Sequence, residues 1–337
     1  MIIFIKKFVH FLNWEIYKFF VIKLKLFARL AIIFERSLTL YSTRWLKYAM
    51  DKRLTKSEGI FMQEGLLPVL DHYYQPMINP RKHLTRSLRD DRDLPGLDLN
   101  TEEQLSLLSK FHYNEEVIKF PIDKGEDLQF YYNNGMYGSG DAEYLYNMVR
   151  HFKPKRLVEV GSGFSTLLVK AALDQNRIDE QGKSFEHTCI EPYEQPWLEK
   201  TGVTVIRKKV EDIDKPFFQQ LEANDILFID SSHMIRPQGD VLFEFLEILP
   251  ILNTGVIVHV HDIFTPKDYP DEWVYDRHSL WNEQYLLEAF MSFNSEYKII
   301  GALNYLRHNH TKELAEKCPV FAAQEGKEPG SFWIVKK

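Results

Sequence analysis

The sequence contains little cysteine. Its 337 residues include only two, Cys189 and Cys318, which lie far apart in the chain. So few cysteines at such a distance argue against a disulfide-dense secreted scaffold and against a zinc site built from several cysteines. The composition therefore favours a reducing compartment, and we expect a cytoplasmic protein.

Long uninterrupted apolar runs are also missing. Residues 1–34 are rich in Phe, Ile and Leu, but Lys18, Lys23, Lys25 and Arg29 interrupt them. A membrane-spanning helix needs about 20 mostly apolar residues, and a secretory signal ends in small residues that are absent here. The pattern is typical of a basic amphipathic helix. Such a helix could lie at the inner face of the membrane, or pack on the protein's own body or on a second subunit.

Outside this segment the chain has no excess of positive charge. The net charge is −6, but residues 1–36 hold seven cations and two anions, so that segment carries +5 and the remainder −11. Phosphate contacts with a nucleic acid need clustered cations. Nucleic acid is therefore a poor partner for the acidic remainder.

Repeats and low-complexity tracts are absent as well, and 45% hydrophobic residues indicate a folded protein. We predict three segments: a basic helical arm over 1–60, a helical extension with a lid over 61–150, and a catalytic domain over 151–337. Within the extension, Thr101 and Gln104 have the spacing of a capping box at a helix start. The turn-rich stretch 131–141 predicts either a lid or an ordinary surface loop.

From residue 156 onward, short apolar runs alternate with longer amphipathic ones, as in a parallel sheet covered by helices. The predicted strands are 157–160, 187–190, 203–210, 225–229, 255–261, 297–303 and 331–335. No clear helix separates the last two, which predicts that they pair antiparallel at the sheet edge. The fold class is therefore α/β: a Rossmann-like, seven-stranded, mostly parallel sheet with an antiparallel last strand, preceded by a mainly helical extension.

Ligands of open α/β sheets bind beyond the carboxyl ends of the strands, so the residues that follow each strand are the candidates for a site. After the first strand come Gly161, Ser162 and Gly163, where the backbone can approach a ligand and the next helix offers free N–H groups. Glu159 inside that strand is an unusual choice unless its carboxylate meets a donor. Glu191 after the second strand is suited to the two hydroxyls of a ribose.

Further polar groups follow the later strands. After the third strand, Glu211 and Asp212 could accept a hydrogen bond from an adenine amino group. Polar residues that could form either a metal site with open positions or an acid/base set follow the fourth and fifth strands. They are Asp230, His233, His261 and Asp262. The period of two along a strand also predicts that His259 and His261 share a face.

At these positions the sequence resembles the class I S-adenosylmethionine-dependent methyltransferases. The stretches VEVGSGFST, CIEP, FIDSSH, HVHDIF and WNEQYLLEAF look like those of a bacterial branch of the type-24 methyltransferase domain, over about residues 70–337. The resemblance implies that Glu159, Gly161, Ser162, Gly163, Glu191, Asp212 and Asp230 bind the cofactor. It also implies that Ser139 or Asp141 of the preceding loop closes over its methionine carboxylate.

Related metal-dependent O-methyltransferases have an acidic residue after strand four and an Asp-Asp or Asp-Asn pair after strand five. Here Asp230 stands at the first place, but His261 and Asp262 stand at the second. If these three residues bind a divalent metal, the imidazole favours Mn²⁺, Fe²⁺ or Zn²⁺ over Mg²⁺.

The resemblance leads to the expectation of methyl transfer to an oxygen of a small molecule or glycan. His233 or His261 would act as the general base, and Asp262 would orient it or hold a metal. A nicotinamide-dependent oxidoreductase is the alternative enzyme, disfavoured by Thr166 at the third fingerprint position and by Glu159. A membrane-associated binding protein without catalysis is the third alternative.

Overall fold

The computed structural model describes residues 2–52 and 55–337. Contacts divide the chain into two units, Met1–His83 and Leu84–Lys337. Residues 84–150, which the sequence assigned to a separate helical extension, thus belong to the same unit as the sheet.

The first unit is helical. Its helices are α1 (Ile2–Asp51), α2 (Thr55–Gln63) and α3 (Pro80–His83). The segment predicted as a helical arm, residues 1–60, holds α1 and the beginning of α2. The side chains of residues 1–22, on which much of its amphipathic pattern rests, lie outside those that the structure describes. Farther along α1, Phe34, Tyr41 and Trp45 are exposed. Within the described residues, no helix combines the length and the apolar character needed to cross a bilayer.

The second unit holds the predicted seven-stranded sheet. Its strands are β1 (Arg156–Val160), β2 (Glu186–Ile190), β3 (Thr204–Ile206), β4 (Ile226–Ile229), β5 (Ile257–Val260), β6 (Tyr297–Ala302) and β7 (Phe332–Lys336). Their order is β3-β2-β1-β4-β5-β7-β6, and β7 is antiparallel to both of its neighbours while the first five strands are parallel. The predicted fold class is confirmed.

Helices flank these strands. They are α4 (Thr101–Ser109), α5 (Asn114–Val117), α6 (Asp141–Phe152), α7 (Phe164–Asp179), α8 (Asp240–Phe243), α9 (Glu283–Met291), α10 (Leu303–Asn309), α11 (Thr311–Lys317) and α12 (Pro319–Ala323). A π-helical turn, Glu244–Ile248, continues α8, and a second one spans Glu272–Asp276.

The structure corrects two sequence-based expectations. The prediction that no helix separates the last two strands is wrong, because α10, α11 and α12 lie between β6 and β7. Each of these helices has seven residues or fewer, too few for a helical period to stand out. The capping box is also wrong: Asn100 is the N-cap of α4, and the Thr101 hydroxyl lies 3.0 Å from the Tyr305 hydroxyl. Gln104 instead accepts a hydrogen bond from the N–H of Ala302.

The central strands are buried on both faces, as expected where helices cover a parallel sheet. On β4, Ile226 and Phe228 pack into one apolar layer and Leu227 and Ile229 into the other. The chain leaves β1 toward β2 on one side and later returns to β4 on the other side. The strand order therefore reverses between β1 and β4, and a ligand crevice is expected beyond their carboxyl ends.

Candidate active site

A cavity of about 1080 Å³ opens beyond the carboxyl ends of the parallel strands. Single ligand pockets are usually about 300–1,000 Å³, so this one has room for a cofactor and a second molecule. Over β1 and β2 its lining includes Gly161, Ser162, Gly163 and Glu191.

The turn after β1 requires glycine. Gly161 has a φ of +78°, and a Cβ built on it would lie 1.9 Å from the backbone oxygen of Asp230. Its N–H donates to the carbonyl of Ile190, which ties the turn to the end of β2. At the start of α7, the N–H of Gly163 donates to the Thr166 hydroxyl over 3.2 Å. The turn therefore exposes backbone to the cavity and is rigidly held.

Glu191 lies where a ribose-binding carboxylate was predicted. It follows β2, lines the cavity, and accepts hydrogen bonds from the backbone N–H groups of Ser162, Tyr193 and Glu194. Of the two acidic residues after β3, Glu211 is half-buried and lines the cavity. Asp212, the predicted adenine partner, is exposed and does not line it.

Three other predicted cofactor-binding residues do not line the cavity, because their side chains have partners elsewhere. The Ser139 hydroxyl donates to the amide oxygen of Gln324. Asp141 accepts from the backbone N–H groups of residues 330 and 331. Glu159 is fully buried against β2, 2.8 Å from His187 Nε2 and 3.3 Å from the thiol of Cys189. The carboxylate in the strand thus meets donors, as its unusual position suggested.

The ends of β4 and β5 bring Asp230, His233 and Asp262 together. His233 Nε2 lies 3.3 Å from Asp230 Oδ1 and 3.5 Å from Asp262 Oδ2. His233 and Asp262 both have a φ of +58°, a left-handed conformation that non-glycine residues adopt at some cost. Asp230, His233 and Asp262 all line the cavity, which makes this end of it the candidate reactive centre.

The charged form of His233 is stabilised by its surroundings. Burial by itself would lower its pKa, but hydrogen bonds to Asp230 and Glu283 and the charges of Glu283 and Asp262 raise the pKa well above the usual range. The pKa of Asp230 is lowered despite burial, chiefly by the charge of His261 and by His233. The carboxylates at this centre therefore attract positive charge, whether a proton or a metal ion.

His261 and His259 share a strand face, as predicted, with rings 5.6 Å apart. His261 lines the cavity, and its Nε2 lies 3.4 Å from Asp262 Oδ1. His259 is fully buried, stacks on Phe228 and contacts the Ser331 hydroxyl. Burial holds the pKa of His259 well below its usual value, so His259 is a neutral core residue and His261 is the one that faces ligands.

A divalent cation fits Asp230, His233 and Asp262, whose ligand atoms all lie within 4.8 Å of one another. Two carboxylates and one imidazole form a donor set that Mn²⁺, Fe²⁺ or Zn²⁺ accepts. His261, rather than His233, was the imidazole of the predicted metal set; the structure does not bring it into this group. Glu159, His187 and Cys189 form a second such group, buried against α7 and β2.

Glu283 is the residue that the sequence did not single out. It opens α9, is fully buried, and its Oε2 lies 2.8 Å from His233 Nδ1. Nearby, burial and the charge of Glu283 raise the pKa of Glu244 well above its usual range. The available signal for Glu283 was an acidic residue at the first position of a helix, but its partner lies fifty positions earlier in the chain.

Comparison with known proteins agrees with this architecture. The sequence profile of a methyltransferase domain matches residues 158–263. An uncharacterised protein of Archaeoglobus fulgidus is 31% identical over 185 residues, which cover 51% of this chain and 82% of that protein.

Solved structures were also matched. One is an O-methyltransferase from Bacillus cereus in complex with SAH, with 12% identity and a TM-score of 0.35, covering 69% of this chain and 91% of that one. Another is described as a protein-L-isoaspartate O-methyltransferase from Plasmodium falciparum in complex with S-adenosyl-L-homocysteine. It has 12% identity and a TM-score of 0.25, covering 49% of this chain and 76% of that one.

Proposed function

Residues 158–263 match a methyltransferase domain, and we propose that this chain is a class I S-adenosylmethionine-dependent methyltransferase that methylates a hydroxyl oxygen of a small molecule or sugar. The observation that carries the proposal is the group formed by Asp230, His233 and Asp262 beside a cavity with room for two ligands. Methyl transfer to a hydroxyl needs close alignment and a means of removing the hydroxyl proton. This group offers both.

Cofactor binding is assigned to the β1 and β2 end of the cavity. There the Gly161 turn lets the backbone approach, the start of α7 offers free N–H groups to the methionine carboxylate, and Glu191 faces the ribose hydroxyls. The acceptor then enters over β4 and β5. This places the reacting oxygen beside Nε2 of His233, the nitrogen that does not contact Glu283.

His233 is the proposed base, and it acts in its neutral form; a cation held by Asp230 and Asp262 would favour that form over the charged one that the carboxylates otherwise stabilise. In the reaction the acceptor oxygen forms the new bond to the methyl carbon, the carbon–sulfur bond breaks with its electrons remaining on sulfur, and the hydroxyl proton passes to His233. Glu283 holds Nδ1, which fixes the ring orientation and stabilises the imidazolium that forms. His261 lacks an equivalent carboxylate on its second ring nitrogen, and its Nδ1 has no hydrogen-bond partner. We therefore rank His233 above His261.

A metal at Asp230 and Asp262 is the second part of the proposal. Bound there, a divalent cation would lower the pKa of the acceptor hydroxyl and replace the positive charge that otherwise keeps His233 protonated. The two carboxylates would hold it, and His233 would act either as its ligand or as the base beside it.

Removal of metal by a chelator tests whether a metal ion assists the reaction. Dialysis of the purified protein against EDTA is expected to lower turnover at least about tenfold, with Mn²⁺ restoring it and S-adenosylhomocysteine binding unchanged. Turnover would be followed with a panel of hydroxyl acceptors, and metal content by plasma mass spectrometry. Full activity in metal-free protein would contradict metal assistance.

Glu283→Gln tests the positioning of the base. The substitution keeps the shape but removes the charge, and we expect kcat to fall about ten- to a hundredfold with little change in cofactor affinity. In a plot of kcat against pH, the fall on the acidic side should move to lower pH. The reason is that the Glu283 carboxylate raises the pKa of His233, and the variant lacks this charge. Glu288→Gln is the matched control: it breaks the pairing of α9 with Arg92 away from His233, so it should lower stability and spare kcat. Equal loss of kcat in both variants would argue against the assigned role.

The arm is proposed as an interaction segment, either on an anionic membrane surface at the inner face or with a second subunit. Its +5 charge and the exposed aromatic side chains of α1 support both alternatives. Sedimentation of the whole protein with anionic vesicles tests the membrane alternative. Light scattering without vesicles tests association with a second subunit.

A further inference from the structure

The acceptor end of the cavity combines two indole rings with two guanidinium groups. Trp273 and Arg277 lie on the π-helical turn after β5 and just beyond it, Trp281 lies before α9, and Arg236 lies in the loop after β4; all four line the cavity. This end adjoins His233, because the Trp281 ring centroid lies 4.5 Å from that of His233.

The two indoles meet in a corner of the cavity wall, and the guanidinium carbon of Arg277 lies 5.9 Å from the ring centroid of Trp273. Their ring centroids are 5.1 Å apart with planes at 73°, and both side chains are only half-buried although they are large and apolar. Half-buried aromatic faces in a cavity provide apolar contact area for a ligand. A pyranose ring suits this corner, since it has one face of C–H groups and a rim of hydroxyls that would point toward His233.

The cations of the cavity are unevenly placed. The cofactor end carries Glu191, Glu194 and Glu211 with one cation, Lys209. Both arginines that line the cavity lie at the acceptor end, together with the carboxylates of Asp230, Asp240 and Asp262. An anionic group of the acceptor can therefore be recognised by the two guanidinium groups at this end.

Neither arginine is firmly held by its carboxylate partner. Arg277 contacts Glu272 at 2.7 Å, but both side chains are more than half exposed, and exposed ion pairs contribute little. Arg236 lies 3.7 Å from Asp240, whose carboxylate already accepts hydrogen bonds from Ser232. Both guanidiniums therefore keep N–H donors that a ligand could use.

We propose that the acceptor is a pyranoside that carries an anionic group, a carboxylate or a phosphate. Its ring packs against Trp273 and Trp281, and its anion binds Arg277, with Arg236 alongside. Guanidinium forks match carboxylate and phosphate oxygens with paired hydrogen bonds. This inference rests on the proposed function, since it assumes that the β4 and β5 end holds the acceptor.

The proposed acceptor class is tested by measuring the equilibrium binding of sugar probes to the whole protein, which is first saturated with S-adenosylhomocysteine. The probes are methyl β-D-glucuronide, glucose 6-phosphate and neutral methyl β-D-glucoside, followed by calorimetry and saturation-transfer NMR. At least one anionic probe is expected to bind about tenfold or more tightly than the glucoside, and the two anionic probes distinguish carboxylate from phosphate. Arg277→Gln should reduce this preference to near unity.

Two further variants make the result specific. Trp273→Ala should weaken charged and neutral probes alike, because it removes the shared stacking surface. Arg86→Gln, a change at an exposed arginine that does not line the cavity, should alter nothing. Equal affinity for charged and neutral probes, binding of none of them, or an unchanged preference in Arg277→Gln would overturn the proposal. Failure of S-adenosylhomocysteine itself to bind would instead overturn the proposed function.

Discussion

His233→Asn is expected to lower kcat by about 10²–10⁴-fold, the usual contribution of a positioned general base, while leaving the affinity for S-adenosylmethionine nearly unchanged. The asparagine amide can still donate to Glu283, so the buried carboxylate keeps a partner, but no group remains at the position of Nε2 to take the acceptor proton. His233 lies at the end of the cavity away from the glycine turn, which is why cofactor binding should survive.

The measurement pairs turnover with calorimetry on the same preparation. His308→Asn is the matched control, because His308 is paired with Glu328 and does not line the cavity. His261→Ala in the same series ranks the two candidate bases: the larger loss of kcat should occur at His233. Turnover near the wild-type rate in His233→Asn would remove this residue from the mechanism.

Gly161→Val is expected to abolish measurable cofactor binding and to lower the melting temperature. Two costs add at this position. The backbone has a positive φ that a β-branched residue resists, and the new Cβ would overlap the backbone oxygen of Asp230, only 1.9 Å from its ideal position. The turn must therefore move, and it carries with it the backbone that faces the cofactor.

Gly182→Val separates these two costs. Gly182 also has a positive φ, of +87°, but nothing lies within 4 Å of a Cβ built there. It should show only the conformational cost, about 1–2 kcal/mol, with cofactor affinity retained. If Gly161→Val bound S-adenosylmethionine as tightly as the wild type by calorimetry, the assignment of the cofactor to this turn would be wrong.

The strands of the sheet were predictable because their signals are local. Runs such as ILFI in β4 are apolar throughout, and that pattern arises where both faces of a parallel strand are covered. Weaker local signals failed: β3 covers only Thr204–Ile206 of the predicted 203–210, and the short helices α10, α11 and α12 were not foreseen. An element of few residues depends on its tertiary contacts more than on its own periodicity.

The sequence by itself determined the order of the strands along the chain, and hence that Gly161, Glu191, Asp230 and Asp262 follow strands that end at one edge of the sheet. That conclusion needs only a period of two, turn residues and the geometry of parallel strands.

Only the tertiary structure decided which side chains meet at that edge. It placed Glu283 against His233 across fifty positions of sequence, put Glu211 rather than Asp212 on the cavity wall, and gave Asp141 backbone partners elsewhere. The physical reason is that a side-chain contact depends on the packing of separate elements and on the turn at each strand end. A shift of one residue there turns a carboxylate from the cavity to solvent.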